Sequence, residues 1–393
     1  MRATRIVMTG GGSGGHITPI LAVAHELKQL NSKTELIYIG QTGDSLGDIP
    51  AEDENIDRIF TVRAGKFRRY HTEGIKQLFD FRTLFKNLRD ILWVIVGLWQ
   101  SFWLLGRIKP DVIFVKGGFV GVPVGLAAAL RRIPYITHDS DALPGLANRI
   151  IAPWAKLHAV ALPKEVYAYP AQKTVTVGVP ISRNFKKLSA AEIQDYRQQL
   201  KLNGNGRVLL VTGGGLGAQR LNDAVITCAT DILERYPDLQ IVHIAGRALE
   251  TEVRQHYKQG LIQKLQHRVE VKGYINNIYK YSGAADVIVT RAGGTAVAEF
   301  AAQAKPIVVV PNPLLAGGHQ LKNARVLADR KAVKLVSETH LSEDHHALMP
   351  ALTELLDNPV RAKELGQKLS KLAQPEAARK LAVLLLDKAN NRS

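Results

Sequence analysis

Residues 4–27 read TRIVMTGGGSGGHITPILAVAHEL: an apolar run, five glycines and a serine, then an apolar face at helical spacing. Thr18 suits an N-cap and Pro19 a first helical turn, with Ile20, Val23, Ala24 and Leu27 on one side. Strand, glycine loop and helix in that order aim backbone N–H groups and the positive end of a helix at an anion. The unit recurs at 206–222 as GRVLLVTGGGLGAQRLN, which divides the chain into two similar halves.

The runs 34–40, 109–118 and 133–138 read as further strands of the first half. The runs 239–246, 268–274, 285–294 and 305–311 do the same for the second. Strands alternating with helices predict α/β architecture, with a parallel, doubly wound sheet in each half. The 393 residues exceed what one core usually fills, so two Rossmann-like domains are expected, facing each other across a cleft. The junction falls near VGVPISRNF, 177–185. The expected division is 1–182, 183–355, and a helical tail, 356–393, that packs back on the first domain.

One cysteine, Cys228, excludes a disulfide framework and a cysteine-built zinc site, and fits a reducing compartment. No secretory signal is read at the N-terminus. The net charge of +17 admits three partners: nucleic acid, an anionic membrane surface or anionic substrates. Its placement narrows the choice. Arg63, Lys66, Arg68, Arg69, Lys76, Arg82, Lys86 and Arg89 precede ILWVIVGLWQSFWLLG, 91–106, a helix of roughly 24 Å, short of a bilayer core of ~30 Å. It is expected to be a sheet-covering core helix with one exposed edge beside a lipid-binding patch. A nucleic-acid partner is not expected, because the charge is not interleaved with stacking aromatics and no recognised motif appears.

The glycine loops fit nucleotide fingerprints only partly. Gly10, Gly12 and Gly15 match GxGxxG, but the strand at 34–40 ends in Gly40 and Gln41 where an acidic ribose ligand belongs. No loop ends in the Gly-Lys-Ser/Thr of a Walker motif. In TRAGGTAVAEF, 290–300, Thr295 is a natural N-cap, and Glu299 lies one residue beyond a capping-box position. Glu299 either receives ligand hydroxyls or complements the helix dipole.

Six stretches in this order and spacing resemble the peptidoglycan N-acetylglucosaminyltransferase family, of GT-B fold: GGGSGGHITPILAVAHEL, VKGGFVGVPVGLAAAL, HDSDALPGLANR, GGGLGAQRLN, TRAGGTAVAE and HQLKNA. The resemblance spans about residues 4 to 345. It implies inverting transfer of GlcNAc from UDP-GlcNAc to the C4 hydroxyl of undecaprenyl-diphospho-muramoyl-pentapeptide, lipid I to lipid II. It further implies peripheral attachment at the cytoplasmic face of the membrane and no resident cofactor or metal, UDP-GlcNAc being a substrate.

Position by position, the resemblance assigns donor contacts to Ser13, Gly14, Gly15, Asp141, Arg183, Gly215, Ile275, Gly294, Thr295, Ala296, Val297, Ala298, Glu299 and Gln320. Glu299 falls on the ribose, the backbone of Ile275 on uracil, and Gln320 with His319 on the donor sugar and diphosphate. Gly215 stands where the family usually has serine. Ser182 stands at the family's arginine, with Arg183 one place later. His138, Asp139 and Asp141 correspond to the acceptor-side His-Glu-x-Asn, and they form a DxD that could instead hold Mg²⁺ or merely cap a loop. His16 is the expected general base, with Asp141 and His138 as alternatives; otherwise His16 binds the acceptor diphosphate or orders its loop. Rival readings are a diacylglycerol glycosyltransferase and a UDP-sugar epimerase of the same fold.

Overall fold

A computed structural model describes residues 3–65, 81–215, 217–313, 318–344 and 346–390. The chain forms two compact units, residues 1–182 with 374–393, and residues 183–373. The first holds strands β1 (Arg5–Thr9), β2 (Glu35–Gln41), β3 (Arg58–Val62), β4 (Val112–Val115), β5 (Tyr135–Asp139), β6 (Leu157–Val160) and β7 (Thr174–Thr176). They lie in the order β3-β2-β1-β4-β5-β6-β7, every pair parallel. The second unit holds β8 (Val208–Thr212), β9 (Gln240–Ile244), β10 (Val269–Lys272), β11 (Val287–Thr290), β12 (Ile307–Val309) and β13 (Lys334–Leu335). Their order is β10-β9-β8-β11-β12-β13, again parallel throughout.

In both sheets the order of the strands therefore reverses beside the first strand, between β1 and β4 and between β8 and β11. Open parallel sheets bind ligands outside the carboxyl ends of the strands at such a reversal. The continuous apolar strands follow from having both faces covered. On one face of the first sheet, Ile6 and Met8 pack with Val23 and Leu27 of the helix Gly14–Leu30 and with Leu381 and Leu385 of the helix Ala377–Asn390. On the other, Val7 and Ile113 pack with Leu105, Ile108 and Val124. In the second sheet, Leu209 and Val211 meet Leu221, Val225 and Ile232 of the helix Gln219–Arg235, while Leu210 meets Ile288, Phe300 and Leu327.

Three expectations change. Only the last helix, Ala377–Asn390, joins the first unit; residues 356–373 stay with the second, because Ala362, Leu365 and Leu369 of the helix Pro359–Ser370 are buried in its core. The first glycine loop gives way to helix at Gly14, not Thr18. Ser13 is the extended cap residue (φ −161°, ψ 153°), and the Thr18 hydroxyl donates back to Gly14 O at 3.1 Å.

The third concerns the apolar helix, which runs Phe81–Ile108; its stretch Leu88–Ile108, 21 residues or about 31 Å, is by length and composition long enough to cross a membrane. Nor is it mostly core. Gly97, Ser101, Leu105 and Ile108 face the protein, where Gly97 meets Arg63 O and Pro123. Leu88, Ile91, Leu92, Ile95, Val96, Trp99 and Trp103 form an exposed stripe at helical spacing, with Trp99 and Trp103 60% and 69% accessible. Of the basic run, Lys66, Arg68, Arg69, Lys76 and the side chains of Arg82 and Lys86 lie outside the described residues. Arg63 stacks on Trp93 with its guanidinium 4.0 Å from the ring centre.

Candidate functional site

At the β1/β4 reversal, two glycine loops pack backbone against backbone. The Lys116 N–H donates to Thr9 O at 2.9 Å, which extends the sheet by one rung and brings Lys116–Gly118 beside Gly10–Gly12. Gly118 has φ +79°, and a Cβ there would stand 2.5 Å from Gly11 O. Part of the glycine richness therefore serves packing, not phosphate. Asp44 fixes the first loop by accepting the Gly12 N–H at 2.8 Å, and the Tyr38 hydroxyl donates to Gly10 O.

His16 sits in the first turn of the helix Gly14–Leu30, which has no acidic residue there and no side-chain cap. Its Nδ1 lies 3.0 Å from Gly11 O and 3.0 Å from Ser13 Oγ. A carbonyl only accepts, so Nδ1 carries the hydrogen and Nε2 holds the lone pair. Burial, then the charge of Lys116, lowers the imidazole to about 4, further than the near-neutral value expected from sequence. At neutral pH the ring is uncharged and Nε2 can accept a proton. A Cβ on Gly117 would lie 3.7 Å from that Nε2 and 3.6 Å from Asn148 Oδ1, so only a residue without a side chain leaves this space open.

The end of β5 divides labour differently from the expected acceptor trio. His138 is fully buried, and its Nε2–H donates to Gly178 O at 2.8 Å; it ties β5 to the segment at 178 and presents nothing at the surface. Asp139 accepts from Gly145 N (3.0 Å), Asn148 Nδ2 (3.0 Å) and Tyr169 Oη (2.9 Å). With both oxygens engaged it holds the loop together, while burial raises its pKa against those bonds. Tyr169 is kept in place by stacking on His158, ring centres 3.9 Å apart. Asp141 alone of the three is partly exposed, and its charge acts on both His16 and Lys116.

At the β8/β11 reversal, the loop at 213–217 leads into a helix, Gln219–Arg235, with neither a side-chain cap nor an acid in its first turn. Gly217 has φ +79°, and its Cβ would run into Ala245 O. The Gly217 N–H donates to Gly214 O at 2.9 Å, turning the loop at Gly215. The buried Asn222–His243–Tyr257 network supports it: Asn222 Nδ2 donates to Ala245 O at 3.1 Å, and His243 bridges Asn222 Oδ1 (3.0 Å) and Tyr257 Oη (2.8 Å).

The helix Gly294–Ala302 begins on Gly293, so Thr295 is not its cap and Glu299 is a turn beyond any capping-box or first-turn position. Thr295 and Glu299 are buried, whereas Gly294, Ala296, Val297 and Ala298 are partly exposed. Burial alone pushes the Glu299 carboxyl up to about 8. Arg291 braces the turn through Glu338 (2.5 Å) and Val310 O (3.1 Å). Gln320, buried in the first turn of the helix His319–Asp329, accepts the Asn312 N–H at 2.9 Å; Asn323 Nδ2 donates to Ala292 O at 3.1 Å. Ile275 is partly buried against the core beside Tyr274, over which Arg247 stacks at 4.7 Å. Arg183 is exposed at the start of the second unit.

The structure thus gathers His16 and Asp141 in the first unit. It gathers Gly294–Glu299 and Gln320 in the second, linked there by Asn312, Asn323 and Ala292. Sequence reading missed Lys116, Asn148 and Asp44. The one available signal was a lysine directly after the apolar strand VIFV, where no solvated surface is expected.

Comparison with known proteins gives a consistent pattern. Residues 6–160 match the glycosyltransferase family 28 N-terminal domain, and residues 208–381 match its C-terminal domain. Among curated relatives, the proteins of Halothermothrix orenii (32% identical over 390 residues, 98% of this chain and 99% of the relative) and Bacillus subtilis (30% over 381, 97% and 98%) share one name. Both are called UDP-N-acetylglucosamine–N-acetylmuramyl-(pentapeptide) pyrophosphoryl-undecaprenol N-acetylglucosamine transferase. In fold, the chain matches the crystal structure of Acinetobacter baumannii MurG (TM-score 0.67, 23% identity, 98% of this chain and 100% of that one). It equally matches the UDP-GlcNAc 2-epimerase of Neisseria meningitidis bound to UDP-GlcNAc (0.67, 14%, 98% and 100%).

Proposed function

The chain belongs to glycosyltransferase family 28, among the N-acetylglucosamine transferases that act on pyrophosphoryl-undecaprenol-linked N-acetylmuramyl-pentapeptide, and we propose from its geometry how it performs the transfer. It moves GlcNAc from UDP-GlcNAc to the lipid-linked muramyl acceptor, lipid I to lipid II, in peptidoglycan synthesis. A diacylglycerol acceptor is not favoured, since relatives matched over nearly their full length share the peptidoglycan name.

Transfer is inverting in this reading. The acceptor's C4 oxygen forms a bond to the anomeric carbon as the bond to the diphosphate breaks; UDP leaves with the electron pair and the hydroxyl proton passes to His16 Nε2. The observation that carries this is the Gly11 bond, which fixes the tautomer with Nε2 free to accept. An imidazole near 4 is a weak base, so proton transfer gains driving force only as the hydroxyl acidifies in the transition state, and the nearby Asp141 charge stabilises the imidazolium. Charge on the departing diphosphate is met by the N–H groups at Gly215 and Gly294–Thr295 and by Arg183. Glu299 takes the ribose hydroxyls, the Ile275 backbone reads uracil, and His319, Gln320 and the 296–298 turn hold the donor sugar and phosphates. Ser13, Gly14 and Gly15 offer further N–H donors beside His16.

No metal step is included, because both Asp139 oxygens are already committed to protein donors. The exposed stripe from Leu88 to Trp103 rests on an anionic membrane surface, each basic neighbour adding about 1 kcal/mol near the headgroups. UDP release from UDP-GlcNAc tests the reading. Release that requires a lipid I analogue and persists in EDTA is expected; release driven by diacylglycerol, or abolished by EDTA, would overturn the acceptor or the metal-free step.

A further inference from the structure

We propose that Lys116 and Asn148 form an acceptor-binding pair beside His16, the ammonium taking an anionic oxygen of the acceptor's sugar diphosphate and Asn148 Oδ1 taking a hydroxyl of its sugar. The inference rests on the transferase reading above and deepens it.

Lys116 lies at the carboxyl end of β4, at the reversal of the sheet, and is 97% buried, with 3% of its surface accessible. Among the described residues no hydrogen bond or salt bridge holds its ammonium. Asp139 and Asp141 act on it only through the longer-range field, and Asp139 is spent on Gly145, Asn148 and Tyr169. A buried cation left so weakly compensated is costly unless an anion arrives. Two helix N-termini with no acid in their first turns, at Gly14 and Gly121, open on the same strand ends and favour the same sign of ligand.

Asn148 supplies the second observation. It is 2% accessible, and its Nδ2 donates to His138 O (2.9 Å) and Asp139 Oδ1 (3.0 Å). Both partners only accept, so the amide cannot be flipped, and Oδ1 points away, buried and without a partner. That oxygen and His16 Nε2 both border the space above Gly117, at 3.6 and 3.7 Å from a Cβ placed there. Two fixed acceptors side by side fit two neighbouring hydroxyls, such as those on C4 and C6 of a hexopyranose. An ammonium close by fits the phosphate on the same sugar. A sugar phosphate meets all three demands; a neutral glycolipid leaves the charge unmet.

The test is steady-state kinetics of Lys116→Met and Lys116→Arg with a lipid I analogue, beside thermal melting and UDP binding. Lys116→Met is expected to raise the acceptor KM at least tenfold, leave UDP affinity unchanged and raise Tm, because a buried charge is removed; Lys116→Arg recovers part of the acceptor affinity. An unchanged acceptor KM, or a lowered Tm with both substrates equally affected, overturns the proposal in favour of a structural lysine. Asn148→Ser, which keeps a hydroxyl for the acceptor, is expected to act on acceptor KM before donor KM. If the wild-type protein itself fails to turn over the analogue, the transferase reading falls instead.

Discussion

At His16 three influences act on one ring: a buried seat, the Lys116 charge and the positive end of its own helix all favour the uncharged form, while Gly11 O chooses the tautomer. Replacing His16 by alanine is expected to lower kcat by about 10²- to 10⁴-fold, the usual worth of a positioned base. Near-normal turnover at saturating acceptor would remove it from that role. In wild type, kcat/KM should hold from neutral pH downward and fall only as the ring protonates near 4. Glu299 works in the opposite range. Its carboxyl, raised to about 8 by burial, must ionise to accept both ribose hydroxyls, so UDP affinity should increase as pH rises through 8. Glu299→Gln should bind more weakly and without that slope; an unaltered slope measured by calorimetry would dissociate Glu299 from the ribose.

Among the elements, the glycine loops and the apolar helix each carry a prediction. Gly118→Ala forces a side chain into left-handed backbone and toward Gly11 O. The backbone term alone is about 1–2 kcal/mol, and the clash adds to it, so a clear fall in Tm is expected together with lost activity. The apolar helix is fastened along one side by Gly97, Ser101, Leu105 and Ile108, and Arg131 stacks on Phe102 at 3.9 Å. In the membrane-bound reading proposed above, it presents its outer stripe to the lipid without leaving the fold. Trp99→Ser with Trp103→Ser should weaken flotation with anionic vesicles while leaving Tm near the wild-type value, because both side chains are mostly accessible. Unchanged flotation would detach this stripe from the membrane.

For the whole molecule, stability should depend on pH with a defined sign. His16 and His158 are lowered to about 4 and His243 to about 3, so each favours the fold above pH 6.5 and loses that contribution as pH falls through its folded value. Glu299 pulls the other way, its contribution greatest below 4.5 and lost as pH rises toward 8. His138, held well below its ordinary value by burial, acts with these histidines, and Asp139, raised by burial, acts with Glu299. Four histidines outweigh two carboxyls, and Tm is expected to decline on acidification below about 6.5. Leu381→Ala, in the helix that closes the first sheet, should cost about 2–5 kcal/mol in the unfolding of that unit. Legible in the sequence alone were the parallel α/β halves, the division at 182, and the nomination of His16, Glu299 and Gln320 as site candidates. Those depend on apolar strands, glycine loops and spacing, which are local. β3, β6, β7 and β13 went unread because strands of two to five residues are too short to show a period of their own. Tertiary packing was needed to show that Thr18 and Thr295 are not caps, that His138 and Asp139 are buried and bonded to protein partners, and that Lys116 and Asn148 lie near His16. Partners that lie far apart in sequence fix each of these last two duties, and no window of residues encodes the distance between a lysine at 116, an amide at 148 and an imidazole at 16.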